Sequence, residues 1–187
     1  IETYKSASSW KCLCEADAIA TSIALNITSF SRPFSVETES TTAKISHPWN
    51  FFHDQIGWND RLPNINAALG VSQIEDIHLR LKKKRILHSK FKRQFKNLDY
   101  VEIMEESSDS FSNYWLITMR INCENPELLR ENVLKQSHLN KVYLRPSWKL
   151  LNELPMFETS PHGDLSEAIN QSKRLINLPS SPQLVMD

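Results

Sequence analysis

Apolar positions recur at spacings of three, four and seven between residues 64 and 95. Ile74, Ile77, Leu81, His88, Phe91 and Phe95 fall on one stripe of a helix, with Asn64 placed to cap its start. So long a segment is expected to contain a break or kink. Its lysine cluster, Lys82, Lys83 and Lys84, falls off the stripe and should be mostly exposed. Alternation then takes over: residues 101–104 and 115–121 read as two strands of a hairpin, joined by the polar turn 105–113. Asn125-Pro126 opens a second helix, with the proline at the tolerated first turn. Residues 142–144 read as a strand that stops before Pro146. Asp164 with Glu167 three residues later reads as the cap of a third helix, and residues 175–178 as a short apolar strand. No internal repeat appears. Residues 1–40 sustain neither period beyond a short possible element near residues 18–27, and are expected to pack less well than the rest.

Composition narrows the chemistry. The 187 residues carry 22 Lys+Arg against 22 Asp+Glu, which argues against a dedicated nucleic-acid or acidic-membrane binder. No apolar run approaches the roughly 18–20 residues of a membrane span. Three cysteines, Cys12, Cys14 and Cys123, do not form a disulfide framework, so a reducing, cytoplasmic setting is expected. Only three glycines are present, Gly57, Gly70 and Gly163. That argues against a self-contained phosphate loop, which needs clustered glycines for close backbone approach.

Several clusters have a plain structural reading. Nine Lys or Arg residues between Arg80 and Lys96 could bind phosphates, but a solvated helix face balanced by acids elsewhere is favoured. His47 and His53 lack a third ligand at a metal spacing, so no metal is expected. Glu105, Glu106 and Asp109 fit a polar hairpin tip more simply than an acid pair.

Three ordered blocks carry a resemblance. The first runs through Thr41-Thr-Ala-Lys-Ile-Ser-His-Pro-Trp49 and His53-Asp-Gln-Ile-Gly-Trp-Asn-Asp-Arg-Leu-Pro-Asn-Ile-Asn-Ala-Ala-Leu-Gly70. The second is Leu144-Arg-Pro-Ser-Trp148 with Leu154-Pro-Met-Phe157. The third is Asp164-Leu-Ser, leading to Ile176-Asn-Leu-Pro-Ser-Ser181. Together they resemble the DegT/DnrJ/StrS family of pyridoxal-phosphate-dependent sugar-nucleotide aminotransferases, over about residues 41–182. The likeness extends to the subgroup serving nonulosonic acids.

The resemblance implies an α/β fold: the C-terminal small domain of a fold-type-I aminotransferase behind a long linking helix, with the N-terminal large domain mostly missing. Residues 1–40 stay unassigned, residues 41–63 would end the cofactor domain, and residues 64–187 would form the linking helix and small domain. Asn59 would donate its amide to the phosphate of pyridoxal phosphate, on a loop reaching the neighbouring subunit of a homodimer. Arg61 would hold that loop, contact an anion, or form a structural salt bridge. Arg145 and Trp148 would face the sugar nucleotide, with core packing the alternative for Trp148; His47 and Trp49 are further substrate-side candidates. An amino acid would be the donor.

There are departures from the family pattern. Asn152 stands where relatives often carry histidine. The Schiff-base lysine is expected upstream of Thr41 and is not recognisable: Lys5 and Lys11 lack the context, and Lys44 belongs to a later motif. The chain alone is therefore expected to be inactive. The alternative is a non-catalytic relative or fragment that binds a sugar nucleotide or a full-length partner.

Overall fold

The computed structural model describes residues 47–53 and 62–185; residues 1–40, and the expectation that they pack less well, lie outside these. The first helical segment is two helices, α1 (Asn64–Glu75) and α2 (Ile77–Phe95), with the break at Asp76. Asn64 is the first helical residue and Pro63 occupies the cap position, with no side-chain capping bond. The expected Asn64 cap is thereby corrected. Proline suits the site because its missing N–H is not needed there.

Four strands follow, interleaved with two more helices: β1 (Val101–Ile103), β2 (Ile117–Ile121), α3 (Pro126–Leu139), β3 (Arg145–Pro146), α4 (Ser166–Ser172) and β4 (Leu175–Leu178). They form one sheet of order β1-β2-β4-β3, antiparallel at every pairing. No described helix is long and apolar enough to cross a membrane.

The strand period sorts the two faces of the sheet. Val101, Ile103, Ile117, Met119, Ile121, Ile176 and Leu178 are buried on one face. They pack with Leu87, Phe91 and Phe95 of α2 and with Leu129, Val133 and Leu134 of α3. The opposite face is polar. Glu102 and Arg120 are direct cross-strand partners and form an ion pair at 2.5 Å. Thr118 opposes Asn177 and donates to its Oδ1 at 3.1 Å. Arg145 pairs with Asn177 in the β3–β4 register, so it belongs to this polar face.

The helical stripe is only half used. Leu87, His88, Phe91 and Phe95 are buried, but Ile74 is 67% exposed and Ile77 41% exposed. The sheet underlies only the second half of α2, so periodicity alone overstates the buried length. Lys82 is exposed as expected, whereas Lys83 and Lys84 are half-buried.

Ends of elements moved by a residue or two. In the strand expected over 142–144, Val142 and Leu144 are buried and Tyr143 is exposed, and the ladder bonds form instead at Arg145–Pro146. Proline is admitted because β3 is an edge strand. Asp164 accepts from the Ser166 amide at 2.9 Å, one residue before the nominal α4 cap. Glu167 does not reach back to close a capping box; its carboxylate accepts from the Gln171 side chain at 2.6 Å.

Candidate functional site

Two adjoining cavities open beside β3, and Trp148 lines both. The smaller, of about 200 Å³, is bordered by Trp49, Phe51, Trp115, Arg145, Trp148 and Asn177, among others. The larger, of about 660 Å³, is bordered by His47, Phe52, Arg130, Glu131, Trp148 and Lys149, among others. Three segments meet here: the loop 47–53, the turn ahead of β2, and the stretch following β3.

Arg145 and Trp148 border the same cavity. Arg145 is exposed, and among the described residues no carboxylate pairs with it. Its guanidinium lies 5.6 Å from the Phe51 ring centroid. The Lys149 ammonium lies 5.4 Å from the Phe52 ring and 3.7 Å from Glu153. The smaller cavity, bordered by Arg145 and Lys149 and, among the described residues, by no carboxylate, therefore has a cationic rim on aromatic walls, suited to an anion attached to a flat or apolar body. Glu127, Glu131 and Glu153, by contrast, line the larger one. Trp148 is 61% exposed, which removes core packing as its role.

His47 and Trp49 line the cavities but are also engaged in holding their own loop. His47 Nδ1 accepts from the backbone amides of Trp49 and Asn50, at 3.3 and 3.1 Å. The Trp49 indole N–H donates to Glu131 on α3 at 3.2 Å, and its ring meets His138 at 4.8 Å. These contacts fasten residues 47–53 to α3 and set Phe51 and Phe52 beside the rim. Asn59 and Arg61 lie outside the described residues.

Sequence reasoning missed Trp115. Alternation continued back from Ile117 would point it inward with Ile117, Met119 and Ile121, yet it is 65% exposed. The cause lies one residue upstream. Tyr114 has φ 44, in the left-handed region, and is itself buried with its ring stacked 4.0 Å from His88. The chain turns there, β2 starts two residues later than alternation predicts, and Trp115 is directed to the cleft. The indoles of Trp115 and Trp148 stand 6.1 Å apart, inclined at 32°.

The basic helix supports the hairpin. Arg85 pairs with Glu106, which also accepts the Ser112 amide at 2.5 Å. The hydrogen bond from Arg85 is the main cause of the Glu106 carboxyl lying at about 2, well below its ordinary value. Lys92 pairs with Glu105 at 2.7 Å. Acids at the tip thus balance bases on α2, as expected, but Lys83, Lys84 and Arg85 are half-buried, which corrects the expectation of a solvated basic face.

These loops and the sheet agree with a known class. The family model of the DegT/DnrJ/EryC1/StrS aminotransferases matches residues 37–187, and the chain belongs to this family. Among its relatives, EpsN of Bacillus subtilis, which bears a pyridoxal phosphate-dependent aminotransferase name, is 30% identical over 142 residues. The match covers 74% of this chain and 36% of EpsN. A GDP-perosamine synthase of Vibrio cholerae is 30% identical over 138 residues, covering 73% of this chain and 37% of the relative. The chain thus spans little more than a third of the length of the curated relatives it matches.

Two solved structures share the fold. Helicobacter pylori PseC, an aminotransferase involved in the biosynthesis of pseudoaminic acid, gives a TM-score of 0.60 at 19% identity, over 79% of this chain and 40% of that one. The aminotransferase TlmJ of Streptoalloteichus hindustanus gives 0.54 at 17% identity, over 74% and 36%. Both support the architecture of a partial α/β aminotransferase fold.

Proposed function

We propose that the protein, in intact form, transfers an amino group to a keto-sugar nucleotide with pyridoxal phosphate as cofactor, in the biosynthesis of a cell-surface polysaccharide or nonulosonic acid. An amino acid is the donor, the assembly is a homodimer, and the compartment is the cytoplasm. Residues 41–63 end the cofactor domain, and residues 64–187 are the linking helix and small domain. The supporting observation is the family match over residues 37–187 together with the convergence of Arg145 and Trp148 on one cleft.

When bound, pyridoxal phosphate supplies an electron sink at the carbon that carries the nitrogen. Asn59 has the chemistry to hold its phosphate, since a neutral amide donates well to phosphate oxygens without adding charge. A single amide is a small part of a phosphate-binding set, so further donors must complete it. The described residues serve the other reactant. Arg145, free of any carboxylate partner among them, attracts and orients a substrate phosphate. The exposed face of Trp148 packs against a sugar ring or a base and excludes water from one side of it.

The test is steady-state amination by the intact protein with amino donor and keto-sugar nucleotide varied separately. Arg145→Ala and Trp148→Leu should raise KM for the keto-sugar nucleotide by more than tenfold, and by much more than KM for the donor. Equal effects on both substrates, or none, would remove the cleft from the substrate site.

A further inference from the structure

We infer that Trp115 is the specificity-determining wall of the Arg145–Trp148 cleft, stacking on the planar base of the nucleotide, and that Lys84 is the positioning residue that holds it there. The inference rests on the sugar-nucleotide reading of the cleft and adds which part of the ligand is recognised and by what.

Lys84 reaches from α2 to three backbone carbonyls: Tyr114 at 3.1 Å, Trp115 at 3.1 Å and Ser180 at 2.8 Å. An ammonium has three N–H donors, and each finds an acceptor. Among the described residues no carboxylate neutralises it, and burial lowers its pKa. A half-buried cation held only by carbonyls is an expensive way to tie a loop, unless the loop has to keep one conformation. The other contacts act on the backbone of the same residue. Ser180 Oγ donates to the Trp115 carbonyl at 2.6 Å, and the Trp115 amide donates to Asn113 Oδ1 at 2.9 Å. With Tyr114 in the left-handed region and anchored on His88, the Trp115 backbone is fixed on both sides while its indole remains largely in solvent.

That combination, a rigidly held backbone under an exposed aromatic ring, suits a ligand-binding wall. The two exposed indoles, with centroids 6.1 Å apart and planes inclined at 32°, form an aromatic pair at ordinary spacing. At 65% exposure the Trp115 ring keeps free surface on which a flat base can stack. Arg145 borders the same cavity, positioned for a phosphate joined to that base through a sugar. A base, a pentose and a phosphate satisfy these features together. A sugar phosphate without a base leaves Trp115 unused.

The experiment is calorimetric titration of the full chain with UDP, GDP, and glucose 1-phosphate as the base-less probe. Wild type should bind at least one nucleotide at least fivefold tighter than glucose 1-phosphate. Trp115→Leu should remove at least about fivefold of that preference, the usual scale of base–aromatic stacking. Lys84→Met should do the same, and Lys84→Arg should restore part of it. The double variant should lose no more than Trp115→Leu alone, because Lys84 acts through Trp115. Urea denaturation of each variant confirms a folded chain. If nucleotides and glucose 1-phosphate bind equally and Trp115→Leu changes neither, the inference falls while the sugar-nucleotide reading stands. If Lys84→Met and Trp115→Leu lose preference additively, the positioning role falls. If neither nucleotide nor glucose 1-phosphate binds, the sugar-nucleotide reading of the cleft falls with it.

Discussion

Alanine at Phe91 and alanine at Ile74 should have very different costs, although both residues lie on one sequence stripe. Phe91 is 2% exposed, 6.3 Å from the Phe95 ring, within the cluster between α2 and the sheet. Truncating so buried a phenylalanine costs about 3–5 kcal/mol, from lost transfer energy plus the cavity left behind. Ile74 is 67% exposed. It realises about a third of the roughly 1.5–3 kcal/mol available to a fully buried side chain, or about 0.5–1 kcal/mol. Alanine recovers a few tenths through better helix propensity, leaving a net cost near 0.5 kcal/mol. Urea unfolding of the full chain, followed by far-ultraviolet circular dichroism, separates the two cases. At a slope of about 2 kcal/mol/M, Phe91→Ala should lower the midpoint by about 1.5–2.5 M and Ile74→Ala by about 0.3 M. A shift of 1 M or more for Ile74→Ala would refute the reasoning, because it would mean that the whole stripe is buried in the folded chain.

Glu106 makes a pH-dependent contribution whose sign follows from its lowered folded-state value of about 2, against an ordinary 4.5. The contribution is complete above about pH 4.5 and fades as pH falls toward 2, so the midpoint difference between wild type and Glu106→Gln should shrink over that window. A difference that grows on acidification would contradict the Arg85 pairing. Trp148→Leu should change stability by no more than about 0.5 kcal/mol, since the ring is mostly exposed, and a denaturation curve displaced by several times that would return Trp148 to a structural role.

The hairpin, the second helix and the final strand were legible because their periods are uncomplicated: two for β1, β2 and β4, and a proline-opened helix for α3. A break somewhere in the long helix was expected and falls at Asp76, but neither its position nor the depth of burial along the helix was legible. Periodicity marks which face is apolar and says nothing about how far the neighbouring sheet extends. Among the candidate site residues, Arg145 and Trp148 were proposed because they sit in a block with a recognisable pattern. Trp115 was not. Its exposure depends on a left-handed Tyr114, a conformation that tyrosine rarely adopts and no local residue pattern announces. Lys84 was hidden for another reason: in a run of basic residues, which one turns inward is decided by carbonyls 30 and more positions away.

The proposal that residues 41–187 handle substrate, while the covalent attachment of the cofactor lies elsewhere, is open to one direct measurement. The intact protein, loaded with pyridoxal phosphate and active on a keto-sugar nucleotide, is reduced with borohydride and digested, and the modified lysine is located by mass spectrometry. The account predicts turnover and a single adduct outside residues 41–187, with Lys44 and Lys84 unmodified. An adduct on a lysine within residues 41–187, in protein that turns over the sugar nucleotide, would contradict it and make that lysine the catalytic one.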